Sequence, residues 1–259
     1  MSELTGKVAL VTGSNRGIGR AIATRLSADG AKVLLCARDE GLLREAAAEI
    51  RAAGGEAAVV ATDLREPDAG QRVVDAAIAS FGALDIVVNN AGATKRGDFI
   101  SLTEDDWLDG FALKMFGAVR VIRAAWPHLK ARQGAVVNIS GSGGRTPGPQ
   151  FTIGGSVNAA LLSLTKALAD LGLQDGVQVN AINPGPVRTA RFEKRLAQTA
   201  AEHGVDREAA LRIFLREERI TKVGEPEDIA GLVAFILSKN GRYLHGSLID
   251  ADGGSTKTI

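Results

Sequence analysis

An apolar run, Val8-Ala9-Leu10-Val11, leads directly into Thr12-Gly13-Ser14-Asn15-Arg16-Gly17-Ile18-Gly19, and a helical pattern over Gly17–Asp29 follows at once. Strand, tight turn and helix thus succeed one another with nothing between them, which limits the fold more than any other stretch of the chain. Gly13 permits the turn. Gly17 lets backbone N–H groups approach a pyrophosphate, and Gly19 lets the helix lie against the strand. The helix N-terminus opening there carries unpaired N–H groups and partial positive charge, which suits a phosphate. A glycine string alone is weak evidence, but the strand–turn–helix context makes this one specific.

The rest of the chain repeats the alternation. Strands are expected at Val8–Val11, Lys32–Cys36, Ala57–Ala61, Ile86–Asn89, Ala135–Ile139, Gln178–Ile182 and Ser247–Ala251. Helices are expected at Gly17–Asp29, Glu40–Ala53, Asp68–Phe81, Thr103–Lys130, Ser156–Gly172 and Pro226–Ser238. Strands separated by helical segments imply βαβ units, a parallel sheet and a doubly wound α/β architecture of about seven strands. No Pro/Gly/Ser linker and no fixed repeat interrupts the pattern, so one domain over 1–259 is the simplest organisation. One segment breaks the rhythm. An Arg/Glu/Ala-rich stretch around 187–222, with Arg188, Arg191, Lys194, Arg195, Arg212, Arg216 and Arg219, reads as one or two inserted helices. They are either a solvated surface pair or a lid over the carboxyl ends of the strands, where α/β ligands sit.

Composition excludes several classes. With 24% charged residues and a formal net charge of +1, the 259-residue chain has no global pull towards nucleic acid or membrane. The polar start, Met1 to Lys7, reads as no signal peptide, and no apolar run is long enough to span a bilayer. The lone Cys36 excludes an internal disulfide framework and fits a reducing, cytoplasmic setting. His128, His203 and His245 show no metal-ligand spacing, so no metal is expected.

Three further motifs follow the strands. Asp63-Leu64 comes after the third, where a carboxylate could accept a bond from an adenine amino group. Asn89-Asn90-Ala91-Gly92 ends the fourth. Asn183-Pro184-Gly185-Pro186-Val187-Arg188-Thr189 ends the sixth, and its threonine hydroxyl could hold a carboxamide. In this order, Thr-Gly-x-x-x-Gly-x-Gly, Asn-Asn-Ala-Gly and Pro-Gly-x-Val-x-Thr resemble the short-chain dehydrogenase/reductases. The resemblance runs to Asp250-Ala251-Asp252-Gly253-Gly254, nearly the whole chain. It implies a Rossmann-like fold and a nicotinamide dinucleotide held by Gly13, Asn15, Arg16, Gly17, Ile18, Gly19, Arg38, Asp63, Leu64, Asn90, Ala91, Gly92, Pro184, Gly185, Val187 and Thr189. It also implies a homodimer or homotetramer through the helices near Thr103–Lys130 and Ser156–Gly172. At the end of the second strand, where an NAD enzyme carries an acidic residue, stand Ala37 and Arg38. Arg38 and Arg16 can pair with a 2′-phosphate, so NADP(H) is expected over NAD(H); either arginine could instead face solvent.

The resemblance breaks at the catalytic positions. The family uses a Tyr and a Lys one helical turn apart, a Ser that binds the substrate oxygen, and an Asn that supports a water chain. Anchored on Thr165-Lys166 and Asn183-Pro184-Gly185, the Tyr falls at Gly154, the Lys at Asn158, the Ser at Gly141 and the Asn at Lys114. The only tyrosine, Tyr243, lies far away and reads as packed near the last strand. Lys and Asn are thus exchanged. Lys114 is a candidate acid or base, with snorkelling to solvent as the alternative. Ser142 and Asn158 complete the candidate catalytic set, while Ser156 reads as a helix cap. Gly154-Gly155 either opens a pocket or lets helices close it. Arg96 and Arg145 border the site and, with Lys114, suggest an anionic small-molecule substrate.

Three functions fit. The first is an NADP(H)-dependent oxidoreductase of a carbonyl or alcohol, with a non-standard acid. The second is a catalytically inactive NADP-binding sensor or subunit. The third is a non-redox lyase, dehydratase or isomerase on the same scaffold.

Overall fold

The computed structural model describes residues 3–257, so Met1, Ser2, Thr258 and Ile259, included in the expected domain span, lie outside it. Seven strands form one sheet: β1 (Val8–Thr12), β2 (Lys32–Ala37), β3 (Ala57–Ala61), β4 (Ile86–Asn89), β5 (Ala135–Ile139), β6 (Gln178–Pro184) and β7 (Leu248–Ala251). Their order is β3-β2-β1-β4-β5-β6-β7 and every neighbouring pair is parallel. The helices are α1 (Gly17–Ala28), α2 (Glu40–Ala52), α3 (Ala69–Phe81), α4 (Glu104–Gly110), α5 (Gly117–Arg132), α6 (Thr152–Asp175), α7 (Ala190–His203), α8 (Arg207–Glu218) and α9 (Pro226–Leu237).

Successive strand residues point to opposite faces, and both faces are covered. In β1, Ala9 and Val11 pack with Ile22 and Leu26 of α1, Leu43 of α2 and Val233 of α9. Val8 and Leu10 pack on the other side with Val73 and Val74 of α3 and Val121 and Leu129 of α5. The result is a doubly wound, Rossmann-like parallel sheet. Its strand order reverses between β1 and β4, the usual place for a ligand in such sheets.

Three elements depart from the sequence expectation. The single helix expected over Thr103–Lys130 is divided into α4, a π-helical turn at Phe111–Phe116, and α5. A Cβ on Gly110 would lie 2.6 Å from Ile153, so close packing on α6 fixes the chain there. The π turn disturbs the regular ladder, and Arg120 donates to the Ala112 carbonyl at 3.2 Å and to the Leu64 carbonyl at 3.1 Å.

α6 begins at Thr152 rather than Ser156, so Ser156 is not a cap and Gly154-Gly155 lie in its first turn. A Cβ on Gly155 would come within 2.8 Å of Pro147, which explains glycine in an otherwise helical segment. The inserted segment forms α7 and α8 around a small core of Phe192, Leu196, Ala210, Phe214, Ile220 and Val223. Phe192 and Phe214 meet edge to face at 5.3 Å, so the two helices pack on each other. Tyr243 is fully exposed, not packed near β7.

Gly70 tests the α3–α5 contact. A Cβ there would collide with the Arg120 backbone carbonyl. On an open helix surface Gly→Ala stabilises, by about 1 kcal/mol. Here Gly70→Ala is expected to destabilise by about 1–3 kcal/mol, read as a lower urea midpoint with an unchanged slope.

Candidate active site

The site lies over the carboxyl ends of β1, β4, β5 and β6. After β1, Gly13 and Gly17 adopt left-handed φ values of 65° and 56°. A Cβ on Gly19 would collide with the Gly13 carbonyl and Asn90 Nδ2, so only glycine allows α1 to sit so close to the turn. Arg16, the residue before α1, makes no side-chain cap, and the first turn carries no acid. The N–H groups at the start of this 12-residue helix are therefore left to an outside acceptor. That arrangement fits a dinucleotide pyrophosphate.

The neighbouring motifs support this turn from below. Asn90 Nδ2 donates to the Thr12 and Gly13 carbonyls at 3.0 and 3.1 Å, and the Asn90 and Ala91 N–H groups both donate to Thr12 Oγ1 at 3.0 Å. Ser14 Oγ accepts from Cys36 N–H at 3.0 Å, tying the turn to β2. Asn90 is thus a brace for the glycine turn. Asp63 Oδ1 accepts from the Arg65 backbone N–H at 3.0 Å and from its guanidinium at 3.2 Å, while Arg38 lies 3.8 Å from Asp63 Oδ2 and is largely exposed. The Leu64 side chain is core, so only its backbone faces the site rim. Ile18 and Val187 also pack into the core. Pro184 ends β6 opposite Ala251, and Gly185 sits against Asp252 where a Cβ would be 2.7 Å from its Cα. Thr189 caps α7, accepting from Phe192 N–H at 3.4 Å, and its methyl would lie 3.3 Å from a Cβ on Gly17.

Lys114 and Asn158 meet. Lys114 stands on the π turn and Asn158 in α6, yet Lys114 Nζ donates to Asn158 Oδ1 at 2.6 Å and to the Ser140 carbonyl at 2.6 Å. Ser140 Oγ in turn donates to the Asn158 carbonyl at 3.0 Å. Among the described residues no carboxylate lies within ion-pair distance of Lys114. Burial pushes its pKa down from 10.5 to about 7, and the Arg191 guanidinium adds to the shift. Ser140, at the end of β5, is the serine that joins this cluster. Ser142 begins a short 3-10 turn, its carbonyl accepting from the Arg145 and Thr146 N–H groups, and it does not reach Lys114. Sequence reasoning passed over Ser140 because a serine at a strand end has many structural uses.

Gly141 and Gly154 flank the cluster. A Cβ on Gly141 would lie 2.8 Å from Asn158 Nδ2, and one on Gly154 would collide with the Phe151 ring. The same ring lies 2.9 Å from where a Gly143 Cβ would be. Gly154 and Gly155 therefore open no pocket: Phe151 fills the space at the first and Pro147 at the second. Arg96 stacks its guanidinium on that ring, 4.3 Å from the centroid. Arg191, on α7, donates to the Gly92 carbonyl at 2.8 Å, which brings the inserted helices across the cleft to β4. Arg145 instead faces Asp250 at 3.6 Å. Among the described residues no group of three or more acidic, His or Cys side chains is placed to hold a metal, and no helix is long and apolar enough to cross a membrane.

Residues 13–256 match the family model described as enoyl-(acyl carrier protein) reductase. An uncharacterised oxidoreductase of Mycobacterium tuberculosis is 36% identical, over 99% of this chain and 94% of its own length. The solved L-sorbose reductase of Gluconobacter frateurii, complexed with NADPH and L-sorbose, superposes with a TM-score of 0.95 at 33% identity, covering 100% of both chains. The chain belongs to the short-chain dehydrogenase/reductase family. It is therefore an oxidoreductase by family. Another relative, the 4-formylbenzenesulfonate dehydrogenase of Comamonas testosteroni, is 36% identical over 97% of this chain and 98% of its own.

The half-buried Lys114, its amine desolvated, makes stability depend on pH in a definite direction. The folded pKa of Lys114 lies below its unfolded value, so the native state gives up a proton between pH 7 and 10.5 that the unfolded state keeps. Wild-type stability therefore gains over Lys114→Met as pH rises through that window, by up to about 1.4 kcal/mol per pH unit. Urea midpoints of both proteins, taken at the two ends of that window, should show the wild type gaining on Lys114→Met at the higher pH. A gap independent of pH would mean that Lys114 is ordinarily solvated.

Proposed function

We propose that this protein is an NADP(H)-dependent oxidoreductase of a small carbonyl or alcohol, with Lys114 as its proton-handling group. The observation that carries the reading is the position of Lys114 Nζ. It sits at the end of β5, held by two acceptors, with no carboxylate within ion-pair distance among the described residues and its methylenes passing Gly92. The reading assigns Gly13, Asn15, Arg16, Gly17, Ile18 and Gly19 to the pyrophosphate turn, with Asn90, Ala91 and Gly92 bracing or bordering it. Pro184, Gly185, Val187 and Thr189 would form the opposite wall, and Asp63 with Leu64 the adenine end. Arg191 joins this set because its guanidinium lies near Arg16, and that like charge adds to the burial that lowers its pKa. Arg16 and Arg38 would bind the 2′-phosphate, since no acidic residue ends β2. The NADPH complex of the Gluconobacter reductase supports the same choice.

When bound, the nicotinamide supplies the hydride. Lys114 Nζ supplies the proton. As an ammonium it has three N–H groups, and Ser140 O and Asn158 Oδ1 take two of them. The third is left for a carbonyl oxygen, which becomes the alcohol as Lys114 becomes a neutral amine and regains its proton from water. Alcohol oxidation runs the transfer backwards. A pKa near 7 keeps both forms populated at neutral pH. The role fits the exchanged residues: Gly154 and Gly141 stand where the family has Tyr and Ser, and Lys114 and Asn158 stand in each other's places.

The Arg96 guanidinium favours an anionic substrate, in keeping with the sulfonated aldehyde named for the Comamonas relative. α7 and α8 would act as a lid on a single domain, with Arg191 crossing the cleft. Exposed Leu108, Phe116, Leu171 and Leu173 on or beside α4 to α6 support a homodimer or homotetramer.

Two measurements test the reading. In a fluorescence titration NADPH should bind more tightly than NADH, and Arg38→Ala should cost about ten- to a hundredfold in NADPH affinity while leaving NADH nearly unchanged. Equal binding of both nucleotides would remove the 2′-phosphate assignment. In steady-state assays kcat/KM for carbonyl reduction should fall, and that for alcohol oxidation rise, as pH passes through about 7. Lys114→Met should lower both by about a hundredfold or more and abolish the inflection. Tight NADPH binding with no turnover of any carbonyl or alcohol would instead favour the sensor reading.

A further inference from the structure

We infer that Arg96 is the specificity-determining residue of the substrate site, anchoring a carboxylate or sulfonate on the far end of the substrate from its reacting carbonyl. The inference deepens the proposed oxidoreductase reading and rests on it for the position of the reacting carbonyl. Arg96 leaves β4 on the loop after Gly92 and lies over Phe151, 4.3 Å from the ring centroid. The Cζ–Cε edge of that ring fills the space beside Gly154, and Asn158, the hydrogen-bond partner of Lys114, lies one helical turn further along α6. Arg96 is thus one aromatic ring away from the proton-handling cluster, on the open side of the cleft.

The charges around it are unbalanced. Arg195 reaches in from α7 and is paired with Glu218 of α8 at 2.5 Å. Arg191, also from α7, is bound only to the neutral Gly92 carbonyl. Lys114 contributes from the π turn. Three guanidiniums thus share one carboxylate, and among the described residues no carboxylate lies within ion-pair distance of Arg96 or Arg191. Burial of the Arg96 guanidinium, then Arg195 and Arg191, lower its pKa, with Glu218 only partly opposing them. Arginines on folded surfaces are commonly paired with acids, and this protein does so at Arg44, Arg72, Arg188, Arg207 and Arg212. Arg96 and Arg191 are among the arginines with no acidic partner among the described residues, and these two border the cleft. Arg191 faces Arg16 and so the nucleotide phosphates, which leaves Arg96 for the substrate. Its planar fork stacks on Phe151 and still offers N–H pairs at its edge for bidentate contact with a carboxylate or sulfonate.

The test uses the NADPH-loaded protein with 4-carboxybenzaldehyde and its methyl ester, which differ in charge at one end. The wild type should prefer the carboxylate by about tenfold or more in kcat/KM. Arg96→Gln should raise KM for the carboxylate about ten- to a hundredfold, leave kcat and the ester within about twofold, and leave NADPH affinity unchanged. Arg96→Lys should recover part of the loss. An unchanged carboxylate-to-ester ratio in Arg96→Gln overturns the proposal and leaves the oxidoreductase reading intact. If neither aldehyde is reduced, calorimetric binding of benzoate against benzamide decides the matter separately. Selective benzoate binding that Arg96→Gln abolishes supports the anion site. Benzoate binding that is absent, or indifferent to Arg96, overturns it.

Discussion

Seven strands that all run one way deliver their carboxyl ends to a single edge, and the site depends on that shared direction. β1, β4, β5 and β6 are consecutive neighbours in the sheet. Their ends supply, side by side, the glycine turn, Asn90 to Gly92, Ser140, and Pro184 to Thr189. A parallel sheet also forces each strand to be followed by a crossover that returns over a face. The crossovers carrying Lys114 and Asn158 lie next to each other on the face opposite α1. Residues 44 positions apart can therefore share a 2.6 Å hydrogen bond without any loop being bent specially to bring them there.

The same burial acts in opposite senses on two groups. Cys36 is enclosed in the sheet, and desolvation pushes its thiol up to about 12, so it stays protonated and unreactive. Desolvation moves the Lys114 ammonium down to about 7, where it can exchange a proton. The difference is that a base loses its charge by giving up a proton and an acid by keeping one. Ordinarily a buried lysine would recruit a carboxylate to hold its charge. Here the partners are a backbone carbonyl and an amide oxygen, neutral acceptors that can take two N–H groups in either protonation state and hold the cation less firmly than a carboxylate would. That choice leaves the charge adjustable, whereas an Asp or Glu at 158 would fix the lysine as a cation.

The sheet and the glycine turn were legible in the sequence because their signals are local. Apolar runs, the spacing of Gly13, Gly17 and Gly19, and the order of the later motifs each lie within a few residues. The π turn was not legible, since Phe111–Phe116 reads like any helix, and the tight contact of Gly110 with Ile153 just before it is between residues distant in sequence. The start of α6 was missed because Gly154-Gly155 has poor helix propensity, and tertiary contact with Pro147 overrides it. Phe151 and Arg191 were missed for another reason. Each acquires its meaning only from a partner distant in sequence: Arg96 and Gly143 for Phe151, and Gly92 for Arg191. Arg145 bordered the site in sequence as well as Arg96 did, and only the proximity of Asp250 separates them.

The small residues of the site and its large ones have to be understood together. Gly154 is bare because Phe151 lies where its side chain would begin, and Gly141 is bare because the Asn158 amide does the same. Gly92 lacks a side chain where the Lys114 methylenes pass, with its Cβ position 2.9 Å from Lys114 Cδ. Placing a tyrosine at 154 would require Phe151 to leave, and that would take away the ring beneath Arg96. Placing a serine at 141 would push on Asn158 and hence on the acceptor of Lys114. Each glycine is thus matched to a specific larger neighbour, and changing one disturbs another two residues away in the network. The bare positions at 92, 141 and 154 are therefore occupied by Lys114, Asn158 and Phe151, and the lysine keeps two acceptors.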